Sequence, residues 1–457
     1  MLKNSVKFSI IKCYERVKMS DLKYFIKTYG CQMNVHESEK LAGMLISLGY
    51  TETDKMENAD LIIFNTCCIR DGCEQKVFGN LGNLKKLKKQ NPRLITAICG
   101  CLTQAEGRKD MIKQRFPYVN IVFGTHNLNE FKNYILQYNK SHENVYEVWD
   151  SEKEINEDVE MFRTSNNNAW VNIMYGCNNF CSYCIVPYVR GRERSRMPAD
   201  IVKEVKGLIT DGYKFITLLG QNVNSYGNDL DDENITFANL LRELAHLDGD
   251  FKIRFMTSHP KDLNDDVIDA IAEEKKLAKY IHLPVQSGSD RVLKLMNRKY
   301  TIERYMGLIE KIRAKMPTCY LSTDIIVGFP GETEEDFMDT YNLIEKVRYD
   351  GVFAFMFSPR TGTVAEKMDN QVDEKIKNER VNRLLKLSKA ITKEKTKECL
   401  GNTYDVLVES IDEVAHAVND SGRTILIEEK DGLEVNKFYT VKVVRVANNT
   451  LYAEIIK

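Results

Sequence analysis

The sequence predicts an α/β chain in three parts: an N-terminal open parallel sheet, a run of six βα units, and a small antiparallel β-barrel at the C-terminus. Three patterns carry this. From Lys23 onward short apolar runs alternate with helical stripes, the order expected of a parallel sheet covered by helices. Between Trp170 and Phe357 six strand-like runs recur with amphipathic segments between them, too few for the closed eight-stranded barrel. After a basic helix at Glu374 to Glu398, the stretch Gly401 to Lys457 alternates as short strands and turns, as small barrels do.

At roughly 150 residues per domain, 457 residues suit three domains. Lysine plus arginine number 65 against 66 acidic residues. That balance excludes a polybasic coat or acidic tail, so any nucleic-acid surface must be a local patch. With 43% hydrophobic and 29% charged residues the chain is globular, not disordered or fibrous. No apolar run approaches the ~20 residues that cross a bilayer, so no membrane partner and a cytoplasmic location are expected. Residues 1–22 read as a poorly ordered extension, with Met19 as an alternative start. They are basic but lack a signal-peptide core.

Twelve cysteines in such a chain are not expected to be disulfides; their clustering points to metal or redox chemistry. Residues 23–150 form the first part. Tyr24–Tyr29 reads as a strand ending in Gly30-Cys31, His36–Leu48 as a helix, and Asp60–Asn65 as a buried strand ending in Thr66-Cys67. A lysine-rich helix runs to Gln90, Leu94–Cys99 is a strand ending in Gly100-Cys101, and one helix through Phe116 and a strand at Asn120–Phe123 follow. In open parallel sheets ligands sit beyond the carboxyl ends of the strands. Cys31, Cys67 and Cys101, 36 and 34 residues apart, fall at that edge one βα unit apart. Three thiolates converging there could hold three irons of a 4Fe–4S cluster and leave the fourth open. A core cysteine is the competing reading for any one of them. Cys68 is the rival ligand, Cys99 reads as core, and Cys13, Cys73, Cys319 and Cys399 receive no role. The acidic stretch Ser151–Glu160 and Ser165–Asn168 mark a linker.

The second part, 165–395, opens on a strand at Trp170–Tyr175 followed by Cys177, Cys181 and Cys184, a C-x3-C-x2-C loop with Tyr183 before the last cysteine. Paired zinc knuckles bring four ligands and ferredoxin-type clusters four cysteines. Three in one loop leave an iron for a substrate or cofactor. Strands are expected at Phe215–Leu219, Phe251–Met256, Lys279–Leu283, Tyr320–Val327 and Gly351–Phe357, and helices at Ile201–Ile209 and Asp336–Val347. The loops after these strands are polar: Gly220-Gln221-Asn222, Ser258-His259-Pro260, Pro284 to Asp290 with Gln286, Gly328 to Glu332 with Gly331, and Ser358-Pro359-Arg360. Arg190, Arg192, Arg194 and Arg196 lie four in seven residues beside the cysteine loop and suggest phosphate contacts, with a solvated salt-bridged loop as the alternative. His259 and His282 are not assigned a catalytic role. In the third part, 396–457, strands are expected at Tyr404–Val408, Thr424–Ile427, Lys437–Val446 and Leu451–Ile455.

The C-x3-C-x2-C loop resembles the radical S-adenosylmethionine superfamily, whose fold is an open six-unit (βα) partial barrel. Together with TYGCQMN at Thr28–Asn34, NTCCIR at Asn65–Arg70, GCLTQAEG at Gly100–Gly107, LLGQNVNSYG at Leu218–Gly227, HLPVQSGSD at His282–Asp290 and DIIVGFPGET at Asp324–Thr333, it resembles the methylthiotransferases, closest to the MiaB type, over nearly all of Lys23 to Lys457. The C-terminal part resembles the RNA-binding TRAM domain.

The resemblance implies two 4Fe–4S clusters. A radical cluster is held by Cys177, Cys181 and Cys184 and binds S-adenosylmethionine. An auxiliary cluster is held by Cys31, Cys67 and Cys101. That family usually has serine where this chain has Cys68, which keeps Cys68 open as a substitute for Cys67. Cofactor contacts would come from Tyr183, Gly220, Gln221, Asn222, Ser258, Gln286, Gly328 and Gly331. Gly220 stands on the amino-group side and Gly328 to Glu332 on the adenine side. The implied reaction converts C2–H of N6-isopentenyladenosine at tRNA position 37 into C2–S–CH3. One S-adenosylmethionine methylates sulfur and a second supplies the deoxyadenosyl radical. The implied partners are the tRNA anticodon loop and an electron donor such as flavodoxin or ferredoxin, with the enzyme a monomer. Relatives acting on threonylcarbamoyladenosine tRNA or on a ribosomal-protein aspartate are the alternative. A non-catalytic zinc protein that binds RNA is the reading from another class.

Overall fold

The computed structural model describes residues 22–68, 73–151, 155, 157, 159 and 161–456. The expected N-terminal extension, with Cys13, lies outside the described residues except for Leu22, and the acidic linker does so in part. The chain divides into two compact units. One runs to Thr164 and includes Tyr188–Gly191; the other comprises Ser165–Pro187 and everything from Arg192.

In the first unit the strands β1 (Lys23–Thr28), β2 (Thr51–Glu52), β3 (Leu61–Thr66), β4 (Ile95–Gly100), β5 (Ile121–Phe123) and β6 (Val145–Glu147) form one parallel sheet ordered β2-β1-β3-β4-β5-β6. The expected βα alternation is present. β3 and β4 are buried along their whole length, which is why they read as continuous apolar runs without alternation. Helices α1 (Gln32–Ser47), α2 (Cys73–Gln90), α3 (Cys101–Gln104), α4 (Arg108–Arg115) and α5 (Phe131–Ser141) link them. One apolar layer joins Leu41, Leu45, Ile63 and Phe123; another joins Phe64, Leu81, Ile98 and Ile112. The single helix expected after Cys101 is instead two, α3 and α4. Ala105 is extended and Gly107 left-handed (φ 71°) between them, which interrupts the helical ladder.

Helix α6 (Val186–Arg190) follows the three-cysteine loop. In the second unit the strands are β7 (Asn168–Asn172), β8 (Met174–Tyr175), β9 (Arg194–Ser195), β10 (Phe215–Leu219), β11 (Lys252–Phe255), β12 (Tyr280–His282), β13 (Tyr320–Val327) and β14 (Gly351–Met356). Six of them run parallel in sequential order as two three-stranded sheets, β11-β10-β7 and β12-β13-β14. This is the expected six-unit open array. The strand expected at Trp170–Tyr175 is divided. Ile173 donates the last bond to the parallel neighbour, at Leu219, and β8 then turns to pair antiparallel with β9. Helices α7 (Pro198–Thr210), α8 (Phe237–Ala245), α9 (Asp265–Glu273), α10 (Asp290–Leu295), α11 (Ile302–Lys315) and α12 (Glu334–Val347) connect the strands. Thr236, Asn264, Ser289, Thr301 and Thr333 accept from backbone N–H groups at the starts of the last five, each such cap contributing about 1 kcal/mol.

The long helix α13 (Glu374–Glu398) leads to β15 (Thr403–Ile411), β16 (Ala415–Asn419), β17 (Thr424–Ile427), β18 (Phe438–Ala447) and β19 (Thr450–Ile455), a closed barrel ordered β15-β16-β17-β19-β18. β16, in a short Ala- and His-containing stretch, was not legible as a strand. The barrel is not wholly antiparallel: β17 and β19, on either side of β18 in sequence, pair in parallel. Among the described residues no helix is long and apolar enough to cross a membrane.

Candidate metal centres

In the first unit the sheet order makes β1, β3 and β4 neighbours, with Thr28 opposite Asn65 and Thr66 opposite Gly100. Cys31, Cys67 and Cys101 therefore follow the carboxyl ends of three adjacent strands. Two glycines let those ends close up. A Cβ on Gly30 (φ 119°) would stand 2.6 Å from Cys67 Cβ and 3.1 Å from its Sγ, and one on Gly100 (φ 96°) would strike the Thr66 carbonyl. Asn34 and Asn65 stitch the first two ends. Asn34 Nδ2 donates to the Thr66 carbonyl at 3.0 Å, and Asn65 Nδ2 donates to the Asn34 carbonyl at 2.8 Å. The Cys31 thiol donates to Asn34 Oδ1 at 3.4 Å.

Cys68 joins this group. Its thiol and that of Cys101 are hydrogen-bonded, which raises Cys68 well above the ordinary thiol value, with burial adding to the rise. The same bond lowers Cys101 to about 7. Burial opposes this drop, and the Arg190 charge supports it. Cys99, as expected, is core.

Arg190 was expected among the phosphate-contacting arginines. It is instead buried in the first unit (3% exposed). It donates twice to Glu37, at 2.6 and 3.2 Å, and stands 2.9 Å from Met33 Sδ. Arg196 is also buried, donating to the Asn172 carbonyl at 2.6 Å and to Glu204 at 2.8 Å. Both guanidiniums are turned inward by these acceptors. Arg192 is exposed and lies 4.2 Å from the Phe180 ring centroid, and Arg194 lies 5.8 Å from that of Tyr175.

In the second unit, the cysteine loop is bent by Gly176 (φ 74°) and by Phe180 at φ 47°, a left-handed conformation a non-glycine residue adopts at a cost. Gln221 Oε1 accepts from the Gly176 N–H at 2.5 Å, and Asn297 Nδ2 donates to the Phe180 carbonyl at 2.9 Å. Ser182 is tied at its N–H to the Met296 carbonyl and at its hydroxyl to the Leu295 carbonyl. Burial raises Cys177 to about 11 and Cys184 to about 12, with the Cys181 charge adding to the latter. These two thiols need a cation to become thiolates at neutral pH, as metal binding provides.

Sequence reasoning missed Arg298. It is buried and donates to the Pro284 carbonyl at 2.8 Å, to Tyr300 at 3.1 Å, to Cys181 Sγ at 3.4 Å and to the Tyr183 hydroxyl at 3.5 Å. Nothing in the local string LMNRKY marks it. Only the left-handed Asn297 and Lys299 on either side aim it at the loop.

The structure gathers Gly220, Asn222 and Ser258 at the ends of the adjacent strands β10 and β11. Gly220 is packed on Met174, whose Cγ is 2.7 Å from where a Cβ would be. Around them buried polar atoms lack partners within the protein: Asn172 Oδ1, Asn222 Oδ1, Asn224 Nδ2, Ser258 Oγ and His259 Nε2. His259 Nδ1 accepts the Lys261 N–H at 3.1 Å, so in the neutral ring the proton sits on Nε2. Burial and then the charges of Arg298 and Lys261 hold this ring neutral, near pKa 2.

Gln286, Gly328 and Gly331 belong to the β12–β13 side. Gln286 is left-handed (φ 69°) and bonds Asp324 through its N–H. The Gly328 N–H donates to Glu332 Oε1 at 2.8 Å, and Glu332 in turn pairs with Arg380 of α13 at 2.7 Å. Gly331 donates to the Asn370 carbonyl.

Both donor sets fit an iron–sulfur cluster. Each offers three thiols, from strand ends in the first unit, with Cys68 as a fourth beside them, and from one short loop in the second, where Arg298 touches Cys181. Among the described residues no three His, Cys, Asp or Glu side chains close to single-ion spacing, and a cubane places its thiolates on separate irons. The orphaned polar atoms beside the second set suit a polar cofactor, because buried donors and acceptors require partners.

Residues 171–344 match the radical SAM superfamily model, and 23–124 match the model described as uncharacterized protein family UPF0004. A tRNA-2-methylthio-N(6)-dimethylallyladenosine synthase from Clostridium beijerinckii is 52% identical over 95% of this chain and 96% of its own length. One from Thermoanaerobacter pseudethanolicus is 48% identical over 97% and 94%. Among solved structures, the radical S-adenosylmethionine methyltransferase TsrM from Kitasatospora setae, with cobalamin and a 4Fe–4S cluster bound, shares the fold. Its TM-score is 0.55 at 12% identity, covering 76% of this chain and 74% of that one.

Proposed function

The chain belongs to the tRNA-2-methylthio-N(6)-dimethylallyladenosine synthase family of the radical S-adenosylmethionine superfamily, and we propose how its two cysteine triads serve that family's methylthiolation. The enzyme is a radical S-adenosylmethionine tRNA methylthiotransferase, acting at C2 of N6-isopentenyladenosine at tRNA position 37. The convergence of three cysteines in each unit is the observation that carries the site assignment.

An aryl C–H is too strong and too weakly acidic for side-chain acid–base work. When bound, two 4Fe–4S clusters and S-adenosylmethionine supply the radical and sulfur-transfer chemistry the side chains lack. Cys177, Cys181 and Cys184 hold the radical cluster, and Arg298 keeps a positive charge against Cys181. Cys31, Cys67 and Cys101 hold the auxiliary one, with Cys68 hydrogen-bonded to Cys101. The unpartnered atoms of Asn222 and Ser258 accept or donate to the cofactor, and the His259 Nε2–H is a fixed neutral donor beside them. Tyr183, Gly220, Gln221, Gln286, Gly328 and Gly331 shape the same loops.

Arg192 and Arg194 contact tRNA phosphates, and the C-terminal barrel, TRAM-like in its five-stranded closure, grips the RNA. The target base is splayed from the single-stranded anticodon loop, where unstacked bases are available to proteins. A small reducing protein of the flavodoxin or ferredoxin class delivers electrons to the monomeric enzyme in the cytoplasm, where its tRNA substrate is found.

The test is anaerobic reconstitution followed by nucleoside mass spectrometry of isopentenylated tRNA treated with enzyme, reductant and cofactor. About eight irons per chain and appearance of the 2-methylthio nucleoside are expected. Full iron loading with modification of threonylcarbamoyl-adenosine instead would reassign the substrate. Cys181→Ala should keep about four irons and lose reductive cleavage of S-adenosylmethionine; continued cleavage would overturn the assignment of the radical cluster.

A further inference from the structure

Arg190 carries a full charge into the interior of the first unit, yet its position in sequence, six residues past Cys184, belongs to the arginine-rich stretch that reads as an RNA-facing loop. Its surroundings are those of the auxiliary cysteines. The guanidinium is clamped by Glu37 through two hydrogen bonds, at 2.6 and 3.2 Å. Met33, two residues past Cys31, holds the guanidinium at the start of α1, where the charges of Cys101 and Cys31 act on it. Glu37 and Met33, its other neighbour, both lie on α1, the helix that starts directly after Cys31. A buried carboxylate and a buried guanidinium normally cancel and serve packing alone. Here the guanidinium also lies in the field of two candidate cluster ligands, Cys101 and Cys31.

We propose that Arg190 is a positioning residue of the auxiliary centre: held by Glu37 and Met33 at the start of α1, its guanidinium stands beside the auxiliary cysteines, offsets the charge of the thiolates and sets the reduction potential of a cluster bound there. The inference rests on the reading that Cys31, Cys67 and Cys101 hold such a cluster. The physical reason is direct. Cluster potentials follow net charge and hydrogen bonds to the sulfurs, and groups behind the ligands orient them and tune the metal. A positive charge beside the sulfur favours the reduced, more negative state. Glu37 acts in the opposite sense while holding the guanidinium in place. Lysine can replace the charge but not the two-pronged hold.

The test uses the full chain with Cys177, Cys181 and Cys184 all changed to alanine, so that only the first unit can take a cluster. After anaerobic reconstitution, iron content and an EPR-monitored redox titration are read for this background and for Arg190→Met, Arg190→Lys and Glu37→Gln made in it. The background is expected to take about four irons. Arg190→Met should move the midpoint to lower potential and Glu37→Gln to higher potential. Arg190→Lys should stay nearer the background than Arg190→Met does. If Arg190→Met does not fold, the Glu37→Gln and Arg190→Lys measurements still decide the matter. Iron uptake with potentials unmoved, or moved in one direction by both charge changes, overturns the inference alone. A background that takes up no iron overturns the auxiliary-cluster reading, and the inference with it.

Discussion

Gly100→Ala tests whether the closeness of strand ends is what builds the auxiliary centre. Gly100 has φ 96° and ψ −163°, a region essentially reserved for glycine, where another residue costs of order 1–3 kcal/mol. Its new Cβ would also strike the Thr66 carbonyl and stand 2.7 Å from Asn65 Oδ1 and 2.8 Å from Thr66 N. Two of these are backbone atoms of β3, paired in register with Gly100 itself, so relief requires opening the ladder between Cys67 and Cys101. The total is about 3 kcal/mol against a gain below about 1 kcal/mol from the stiffer unfolded chain. At about 2–4 °C per kcal/mol for a unit of this size, Tm should fall by roughly 5–10 °C.

The assay is thermal unfolding together with iron content after reconstitution, in which about half the iron should be lost. Gly107→Ala is the comparison. It too has positive φ, 71°, but nothing lies within 4 Å of its Cβ. It should cost about 1 kcal/mol and keep its iron. A Gly100→Ala protein with parental Tm and full iron would refute the reasoning.

Replacing Arg192 and Arg194 by alanine should weaken tRNA binding and flatten the plot of log K against log salt by about 1.5, given about 0.7–0.9 per phosphate contact; an unaltered slope would return both residues to a solvent role. Arg298→Met leaves the buried Pro284 carbonyl with only the long Tyr300 hydroxyl contact at 3.5 Å, a loss of about 1 kcal/mol, and removes the charge beside Cys181. Reductive cleavage of S-adenosylmethionine should slow, and a parental rate would exclude Arg298 from the radical centre. His259 is held near pKa 2 by burial and then by Arg298 and Lys261, below the ordinary value of about 6.5. Only the unfolded chain takes up the proton as pH falls below that value. Stability is therefore present above it and declines below it by about 1.4 kcal/mol per pH unit. Urea midpoints at pH 7.5 and 5.5 should diverge less in His259→Gln than in the parent, and equal divergence would mean that the ring titrates freely.

The placement of Cys31, Cys67 and Cys101 at adjacent strand ends was legible because a parallel βα unit has a characteristic length. Cysteines placed one unit apart must fall at neighbouring strand ends when β1, β3 and β4 pair in that order. The proximity of Cys177, Cys181 and Cys184 was legible because they lie within eight residues, where spacing alone sets proximity. The fully buried runs of β3 and β4 were readable for the same local reason. The helix break at Gly107 was not, since a glycine in a polar stretch is compatible with either a turn or a helix. Nor was β16, which has too few β-branched residues to announce itself.

Sequence by itself determined most of the elements, their order and the spacing of the six cysteines, because periodicity and spacing are properties of neighbouring residues. Tertiary structure alone decided that three of the chain's arginines, Arg190, Arg196 and Arg298, are buried. Arg190 meets Glu37 across 153 residues, Arg196 turns in on the Asn172 carbonyl, and Arg298 reaches Cys181 across 117. Charge and side-chain length are the same in every arginine. What differs is whether folding brings a buried acceptor within reach, and the free energy of an ion depends on that distant partner and on the water it loses.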